Sequence, residues 1–430
     1  MTSPTPAQGT GAPSREVMER ILPLFHRLHA HPELSMREHA TAATVTAALR
    51  DLDIGLETYE KVGGTGVVAL LRNGPGPTVL LRADMDGLPV REDTGLKHAS
   101  TVTEEQPDGT STPVMHACGH DSHMVCLIGA LDRLAADRHT WQGTVAAVFQ
   151  PGEETGQGAL AMLADGLADL FDTPAVCLAQ HVAPLPVGLA LTRPGTVMAA
   201  ADTLRITLHG RGGHASTPET TVDPVLLAAA VVTRLHTLAS RELGAHEAAV
   251  LTVGSLHAGD KANVIPASAR MEVSLRSFDA GTRDRMLAAV ERIVRAEAAA
   301  SGAPREPEIE HLESFPLTVN SPQATATVLD ALRGVVPEVR TAGHPSAGAE
   351  DFGRFAAAFG CPGVYWFFGG VDAGRFEPSD LDVLQATGRL PDHVPPAHSP
   401  GFAIDPAGAL PIGVTALVAA AMAFLNTEGK

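Results

Sequence analysis

Hydrophobic and polar positions alternate along the first part of the chain in the patterns of helices and strands. Apolar residues recur at helical spacing between Ser14 and Ala30, which predicts a first helix with Ser14 as its cap. Short apolar runs then alternate with helical stretches that begin near Ser122 and Gly158. This alternation predicts an α/β domain with a largely parallel sheet. The predicted strands cover residues 66–72, 78–83, 143–150 and 175–180.

The pattern changes between residues 199 and 313, where it follows the order β-α-β-β-α-β, with the two helices predicted over residues 223–243 and 280–300. That order is typical of a compact antiparallel sheet with two helices on one face, so we predict an inserted α+β domain. Helical and strand-like stretches resume after it. The first domain is therefore expected to comprise residues 14–198 and 314–430, and the Pro- and Asp-containing segment 370–400 is expected to be a loop.

Composition narrows the class of protein. With 49 acidic residues against 31 Lys and Arg, the formal charge of −18 argues against nucleic acids and anionic membranes as partners. The polar first 14 residues read as neither a signal peptide nor an anchor, and the apolar stretch Ala409–Leu425 is predicted to be a buried core helix. Four cysteines without framework spacing favour free thiols in the cytoplasm.

The densest group of side chains that can bind metals lies in the segment HACGHDSH. Cys118 and His120 stand two residues apart, and in a loop both could converge on one ion. Histidines also cap helices or form hydrogen bonds inside cores, so this alternative remains open.

Further candidates follow predicted strands. Asp84 and Asp86 come after the strand 78–83, Glu153 and Glu154 after 143–150, and His181 after 175–180. Because ligands bind beyond the carboxyl ends of the strands in open α/β sheets, we expect these side chains to gather along one rim.

The adjacent Glu153 and Glu154 admit two interpretations. They could be a solvated surface pair, or one could bind a cation while the other takes a proton from bound water. Asp86 and Asp121 could orient imidazole ligands, or could equally cap a helix or turn.

Three polar residues of the predicted inserted domain are also candidates. His214, in the segment GRGGHASTP, could polarise a carbonyl group. Asn263 suits amide-type hydrogen bonding, and Arg276 suits forked binding of a substrate carboxylate. A turn residue and a surface ion pair are the alternatives for the last two.

Taken together, these segments resemble the M20 metallopeptidase superfamily, in particular its amidohydrolase branch of hippurate hydrolases, N-acyl-amino-acid deacylases and auxin-conjugate hydrolases. The resemblance runs over almost the whole chain, in one order. The matching segments are RLHAHPELSMREHAT, RADMDGLP, HACGHDSH, FQPGEET, QHVAPLPVG, GGHASTP, NVIP, LRSFD, GAEDF and HSPGF.

The resemblance implies a catalytic domain interrupted by a lid domain that commonly dimerises, and a centre with two divalent metal ions per subunit. Glu153 would be the proton shuttle, Asp86 would support a ligand, His214 would bind the scissile carbonyl oxygen and Asn263 would help hold the substrate. The implied metal ligands are Cys118, His120, Glu154, His181 and His398.

The resulting hypothesis is a homodimeric, metal-dependent amidohydrolase acting on N-acyl amino acids or related amides, in which Glu153 deprotonates a metal-bound water. The mixed ligand set suits zinc or manganese, with cobalt and nickel as further candidates. A dipeptidase or carboxypeptidase of the same superfamily, a cysteine hydrolase using Cys118, and a non-catalytic binding protein are the alternatives. Thr155, where the family generally has Gly, affects the substrate more than the chemistry.

Overall fold

The structure, a computed structural model, describes residues 13–106 and 109–425. The predicted lead-in therefore lies outside the described residues, except for its last two positions. The chain divides into two compact units. Unit 1 contains the chain up to Val197, Val319–His344 and the chain from Asp351 onward, whereas unit 2 contains Met198–Thr318 and Pro345–Glu350. Unit 2 thus reaches slightly beyond the predicted insertion, 199–313, and adds the short second segment.

Helices and strands are numbered here in chain order. The N-terminal part forms α1 (Arg15–Ala30), α2 (His39–Asp51), β1 (Glu57–Val62), β2 (Gly66–Asn73), β3 (Thr78–Asp84), β4 (Thr103–Glu105), β5 (Ser111–Pro113), α3 (His120–Ala136), β6 (Gly143–Gln150), α4 (Gly158–Ala164), β7 (Val176–Pro186), β8 (Leu189–Thr192) and β9 (Gly195–Met198). The middle part forms β10 (Ala200–His209), β11 (Gly213–His214), α5 (Pro224–Leu235), α6 (Leu238–Arg241), β12 (Ala249–His257), β13 (Val264–Ile265), β14 (Ser268–Ser277), α7 (Ala280–Ala300) and β15 (Glu308–Phe315). The C-terminal part forms β16 (Thr318–Asn320), α8 (Pro322–Arg333), β17 (Glu338–Thr341), α9 (Gly353–Phe359), β18 (Gly363–Val371), α10 (Pro378–Thr387) and α11 (Pro406–Leu425).

Unit 1 is built on an eight-stranded sheet with the order β1-β2-β6-β3-β7-β18-β8-β17. The pairs β6–β3, β3–β7, β7–β18 and β8–β17 are parallel. Every residue of β3 and β6 is buried, as expected for central strands that helices cover on both faces. The predicted, largely parallel α/β sheet is confirmed.

Unit 2 contains a separate four-stranded antiparallel sheet with the order β12-β14-β10-β15. Its core lies between this sheet and the helices α5 and α7. Asp223 caps α5 and Asp279 caps α7 through side-chain bonds to backbone N–H groups of the first turn. The predicted βαββαβ fold class is confirmed, with the short pair β11–β13 added to it.

Helix α11 is the central core helix of unit 1. It is 20 residues long, slightly longer than predicted, and is apolar enough to cross a membrane by length and composition. However, 72% of its most apolar window is buried within the protein, where it packs against α3, α8 and β18. This burial fits a core helix better than a membrane span.

Two local predictions need correction. Segment 370–400 is not a loop throughout, because it contains α10. Pro378 occupies its first turn, Glu377 and Asp380 form a capping box, and Gly388 ends it in the left-handed conformation, with φ +70°. The predicted helix from Asp223 to Leu243 ends earlier, at Leu235, and a separate short turn, α6, follows.

Candidate metal centre

The carboxyl ends of parallel strands and the start of α3 bring donor side chains together in unit 1. Asp84 ends β3 and is paired with Gln150, which ends β6 directly before the Pro151–Glu154 turn. His181 lies in β7, the strand on the other side of β3. His120 is the first residue of α3 rather than part of a loop.

The thiol of Cys118 lies at the centre of the donor set. Its Sγ is 3.1 Å from Nε2 of His398 and 3.4 Å from Nε2 of His181. Ligand atoms of Cys118, His120 and Glu154 all lie within 4.8 Å of one another. Glu154 Oε1 is 3.4 Å from His398 Nε2 and 3.9 Å from His120 Nε2. The other four predicted ligands thus meet around the sulfur atom of Cys118.

Hydrogen bonds orient two of the imidazole rings. Nδ1–H of His120 donates to the backbone oxygen of Asp86 at 2.9 Å and lies 3.1 Å from its Oδ1. Nδ1–H of His181 donates to the backbone oxygen of Val182. Because a carbonyl oxygen only accepts, each ring uses its Nδ1 hydrogen in this bond and directs its Nε2 to the centre.

Two buried atoms of this set support a bound cation. Nε2 of His120 and Oε1 of Glu154 have no hydrogen-bond partner among the residues that the structure describes. Leaving such groups unsatisfied is costly unless a further ligand binds them. A thiolate, imidazoles and a carboxylate are together a donor set suited to a transition-metal ion. The residues present therefore fit a metal centre.

His123 is near this centre, but it is not a ligand. One of its ring nitrogens lies within 4.8 Å of ligand atoms of Asp84, His120 and His181. However, its Nδ1 is hydrogen-bonded to Asp84, and its Nε2 accepts the backbone N–H of Val182 at 2.8 Å. With both ring nitrogens occupied, His123 instead holds the backbone beside His181.

A buried cation lies behind these groups. Arg82 donates to Oδ2 of Asp84 at 2.6 Å and to Oε1 of Gln150 at 2.8 Å, and its side chain is fully buried. The ion pair compensates the desolvation of both charges and fixes Asp84, which in turn orients His123.

The electrostatic environment favours a positive charge. Burial raises the pKa of the Cys118 thiol well above its usual value, and the carboxylates of Glu154 and Glu153 act in the same direction. Burial also raises the pKa of Glu154, although His120 opposes it. For His120, burial disfavours the protonated ring, but Asp84 and Asp86 outweigh it and raise its pKa to about 10. These groups retain protons that a metal ion would displace.

Backbone geometry places two of the ligands. Gly119, between Cys118 and His120, has φ +81°, and a Cβ there would lie 2.4 Å from Cγ1 of Val182. His398 has φ +65°, an uncommon conformation for a residue with a side chain. Its N–H donates to the oxygen of Ala117 at 2.8 Å, which fastens the distant C-terminal ligand beside Cys118.

Glu153 is buried at the edge of the donor set. Its Oε2 lies 3.9 Å from Nε2 of His120. The backbone of the next residue, Glu154, is held by a hydrogen bond, in which its N–H donates to Oδ2 of Asp86 at 3.0 Å. Asp121, for which the sequence allowed a ligand-orienting role, instead binds Nδ1 of His29 at 2.6 Å.

The three remaining candidates belong to unit 2, where β11 pairs with β13. This pairing brings His214 close to Asn263, whose backbone oxygen accepts the N–H of Ala215 at 3.1 Å. The backbone N–H of Ser216 donates to Nδ1 of His214 at 3.1 Å. The ring hydrogen of His214 is therefore on Nε2. Arg276 instead donates to the backbone oxygen of Ala347 at 2.8 Å, also within unit 2.

Sequence reasoning missed the residues that support the centre. Arg82 stood inside a predicted strand, and only its charge in an otherwise apolar run distinguished it. His123 lies in the segment HACGHDSH, which was singled out as a whole, but its partners come from β3 and β7, which a sequence pattern does not reveal. Glu38, whose Oε1 accepts the N–H of Gly152 directly before Glu153, was not singled out either.

The chain is similar to known proteins over most of its length. Residues 80–386 match peptidase family M20/M25/M40. The thermostable carboxypeptidase 2 of Saccharolobus solfataricus is 35% identical over 361 residues, which cover 83% of this chain and 87% of that protein. The hippurate hydrolase of Campylobacter jejuni is 34% identical over 340 residues, which cover 78% and 85% respectively.

A solved structure shows the same fold. The YxeP protein of Bacillus subtilis, described as a dinuclear metal-binding peptidase from the M20 family, superposes with a TM-score of 0.75 at 27% identity. The match covers 96% of this chain and 100% of that one. The matched family, the extent of identity and the donor set around Cys118 lead to one conclusion: the chain is a hydrolase of peptidase family M20/M25/M40.

Proposed function

We propose that this hydrolase is an amidohydrolase that cleaves the amide bond of N-acyl amino acids or related amides, with two divalent metal ions per subunit. The observation that carries the proposal is the convergence of four donor side chains on a fifth donor, Sγ of Cys118, with the carboxylate of Glu153 beside them. Hippurate, the substrate that one relative is named for, is an N-acyl amino acid.

In the proposed reaction, the side chains of unit 1 bind the metals and move one proton. Cys118, His120, Glu154, His181 and His398 would hold the ions, which supply Lewis acidity toward a water molecule and the substrate carbonyl. Glu153 takes a proton from the attacking water as its oxygen bonds to the carbonyl carbon. The same carboxyl group then gives the proton to the amide nitrogen when the C–N bond breaks.

His214 is proposed to donate a hydrogen bond to the carbonyl oxygen as negative charge develops there. Its support is the tautomer, since the bond from Ser216 leaves the hydrogen on Nε2. Asn263 and Arg276 are kept as proposed substrate-binding residues, the latter for a substrate carboxylate.

Carboxypeptidase activity is the second candidate, because the thermostable carboxypeptidases of Saccharolobus solfataricus are 35–36% identical to this chain. The bond cleaved would again be an amide next to a free carboxylate, and the same proton transfer by Glu153 would apply. The two candidates differ in the group on the acyl side.

A homodimer and a cytoplasmic setting complete the proposal. Unit 2 exposes apolar side chains on its edge strand β12 and at the start of α5, namely Val250, Leu256, Val225 and Leu226. Exposed apolar side chains of this kind suit burial against a second copy. The four cysteines are free thiols, a state that a reducing compartment preserves.

The test is a substrate screen on chelated and metal-restored protein. N-acetyl, N-benzoyl and longer N-acyl amino acids are compared with N-blocked dipeptides after restoration with Zn²⁺, Mn²⁺, Co²⁺ or Ni²⁺. We expect hydrolysis of the N-acyl amino acids only in restored samples. Activity that survives exhaustive chelation but is lost on thiol alkylation would favour a cysteine hydrolase, and higher kcat/KM on dipeptides would favour the carboxypeptidase.

A further inference from the structure

Glu38 is a buried carboxylate behind the turn that carries Glu153. Its exposed fraction is 0%, and it precedes α2, far from the metal-binding residues in sequence. The proposed function gives Glu38 no role in binding metal or substrate. Its position therefore calls for a separate explanation.

Three hydrogen bonds fix this carboxylate. Its Oε1 accepts the backbone N–H groups of Met36 and Gly152, each at 2.8 Å. Its Oε2 accepts the hydroxyl of Thr65 at 2.6 Å. An acceptor-only group satisfies all three donors, and the bond to Gly152 reaches the residue directly before Glu153.

A second carboxylate holds the other side of the turn. Oδ2 of Asp86 accepts the N–H of Glu154 at 3.0 Å and the hydroxyl of Ser35 at 2.6 Å. The amides on both sides of Glu153 are thus bound by buried carboxylates. Both carboxylates are also tied to the consecutive residues Ser35 and Met36.

The turn packs directly against that segment. Gly152 has φ +55°, and a Cβ there would lie 2.5 Å from Sδ of Met36. Met36 itself has φ +62°. Two residues in the left-handed conformation thus face each other, and Glu38 bonds to the N–H of both.

We infer that Glu38 is a positioning residue, which fixes the turn before Glu153 and so sets the distance from the Glu153 carboxylate to the reacting water. The inference rests on the proposed function for the role of Glu153. It assigns the effect of Glu38 to the reach of its side chain and not to its charge. A misplaced general base costs turnover without weakening metal binding.

Two substitutions separate reach from charge. Glu38→Gln removes the charge but keeps an oxygen that can accept both backbone N–H groups. Glu38→Asp keeps the charge but is shorter by one methylene, so it cannot hold Met36, Gly152 and Thr65 together. Thr65→Val is the matched control, because it removes one bond to the same carboxylate and leaves the bond to Gly152 in place.

The first measurement is steady-state kinetics of the metal-loaded, full-length variants, with metal content determined on the same samples. Glu38→Asp is expected to lower kcat on the order of 10- to 100-fold, whereas its KM and metal content stay within about threefold of the wild type. Glu38→Gln and Thr65→Val are expected to keep kcat within about threefold. A kcat that is higher for Glu38→Asp than for Glu38→Gln, or a loss that parallels metal loss, would overturn the inference.

The second measurement does not depend on activity. Hydrogen exchange of the peptide spanning residues 149–157 reports on the amides of Gly152 and Glu154. We expect faster exchange in Glu38→Asp and unchanged exchange in Glu38→Gln. Unchanged exchange in Glu38→Asp would overturn the inference, whereas a wild-type protein that hydrolyses no amide would overturn the proposed function alone.

Discussion

At the scale of single residues, one octapeptide contains three histidines in three environments. His120 presents Nε2 to the donor set, whereas His123 has both nitrogens occupied. His116 is buried, which lowers its pKa to about 4, and neither of its ring nitrogens has a hydrogen-bond partner in the described part of the chain. The sequence HACGHDSH predicted the chemistry of the segment. It could not assign these roles, because the partners of His120 and His123 come from β3, from Asp86 just after it and from β7.

The assignment of His123 as a supporting residue leads to a quantitative expectation. His123→Ala removes the acceptor of the Val182 N–H but leaves the five donors in place, so metal affinity should fall about 10- to 100-fold. His120→Ala, which removes a donor, is the comparison. Affinities are measured by competition with a chromophoric chelator. If His123→Ala lost metal as completely as His120→Ala, His123 would have to be a ligand.

At the scale of secondary-structure elements, the helices α1 and α3 are joined by a buried ion pair. His29 of α1 binds Asp121 of α3 at 2.6 Å through Nδ1, and its Nε2 is 3.2 Å from Glu92. Burial opposes the charged ring, but these two carboxylates outweigh it and raise the pKa of His29 to about 10. The helix α1 itself was predicted from its spacing, but the pair was not, because its partners are 92 residues apart.

The raised pKa of His29 predicts how stability depends on pH. A histidine whose pKa rises from 6.5 to about 10 on folding stabilises the protein fully below pH 6.5, and this contribution is lost as the pH rises toward 10. His29→Gln should therefore lower the free energy of unfolding by about 3–5 kcal/mol at pH 6, and by less at pH 9. Urea unfolding at both pH values measures the difference. A deficit that grows with pH would contradict the assignment.

The helix α10 shows where element prediction failed. Segment 370–400 was expected to be a loop because of its Pro and Asp content, yet Glu377, Pro378 and Gly388 are the start and stop signals of a helix. The composition of the whole segment outweighed these local signals in the prediction. By contrast, β6 was predicted at its true bounds, since an uninterrupted apolar run leaves little choice.

At the scale of the whole molecule, the sequence predicted both sheets, the largely parallel one and the antiparallel one. The predicted ligands include residues that are far apart in the chain, since His398 lies 280 residues from Cys118. The resemblance to a family supplied that pairing, and no spacing rule would have done so. Supporting contacts such as Glu38 with Gly152 depend on backbone atoms, which leave no mark in the sequence.

The proposed dimer is tested at this scale. Leu226 is 70% exposed at the start of α5, so Leu226→Glu should abolish a dimer whose interface includes this side chain. Leu160→Glu is the control, because Leu160 is also exposed, at 48%, but belongs to unit 1. Light scattering should give about twice 44.6 kDa for the wild type and the control, and 44.6 kDa for Leu226→Glu. A wild-type monomer would contradict the proposal.

The central claim is that Glu153 moves the proton while its neighbours hold the metal. Glu153→Gln keeps the size of the side chain but removes the basic oxygen, so kcat should fall at least about 100-fold. Metal content, measured by elemental analysis on the same sample, should equal that of the wild type. Full metal content with lost turnover is the predicted result, and turnover retained in the metal-loaded variant would contradict the account.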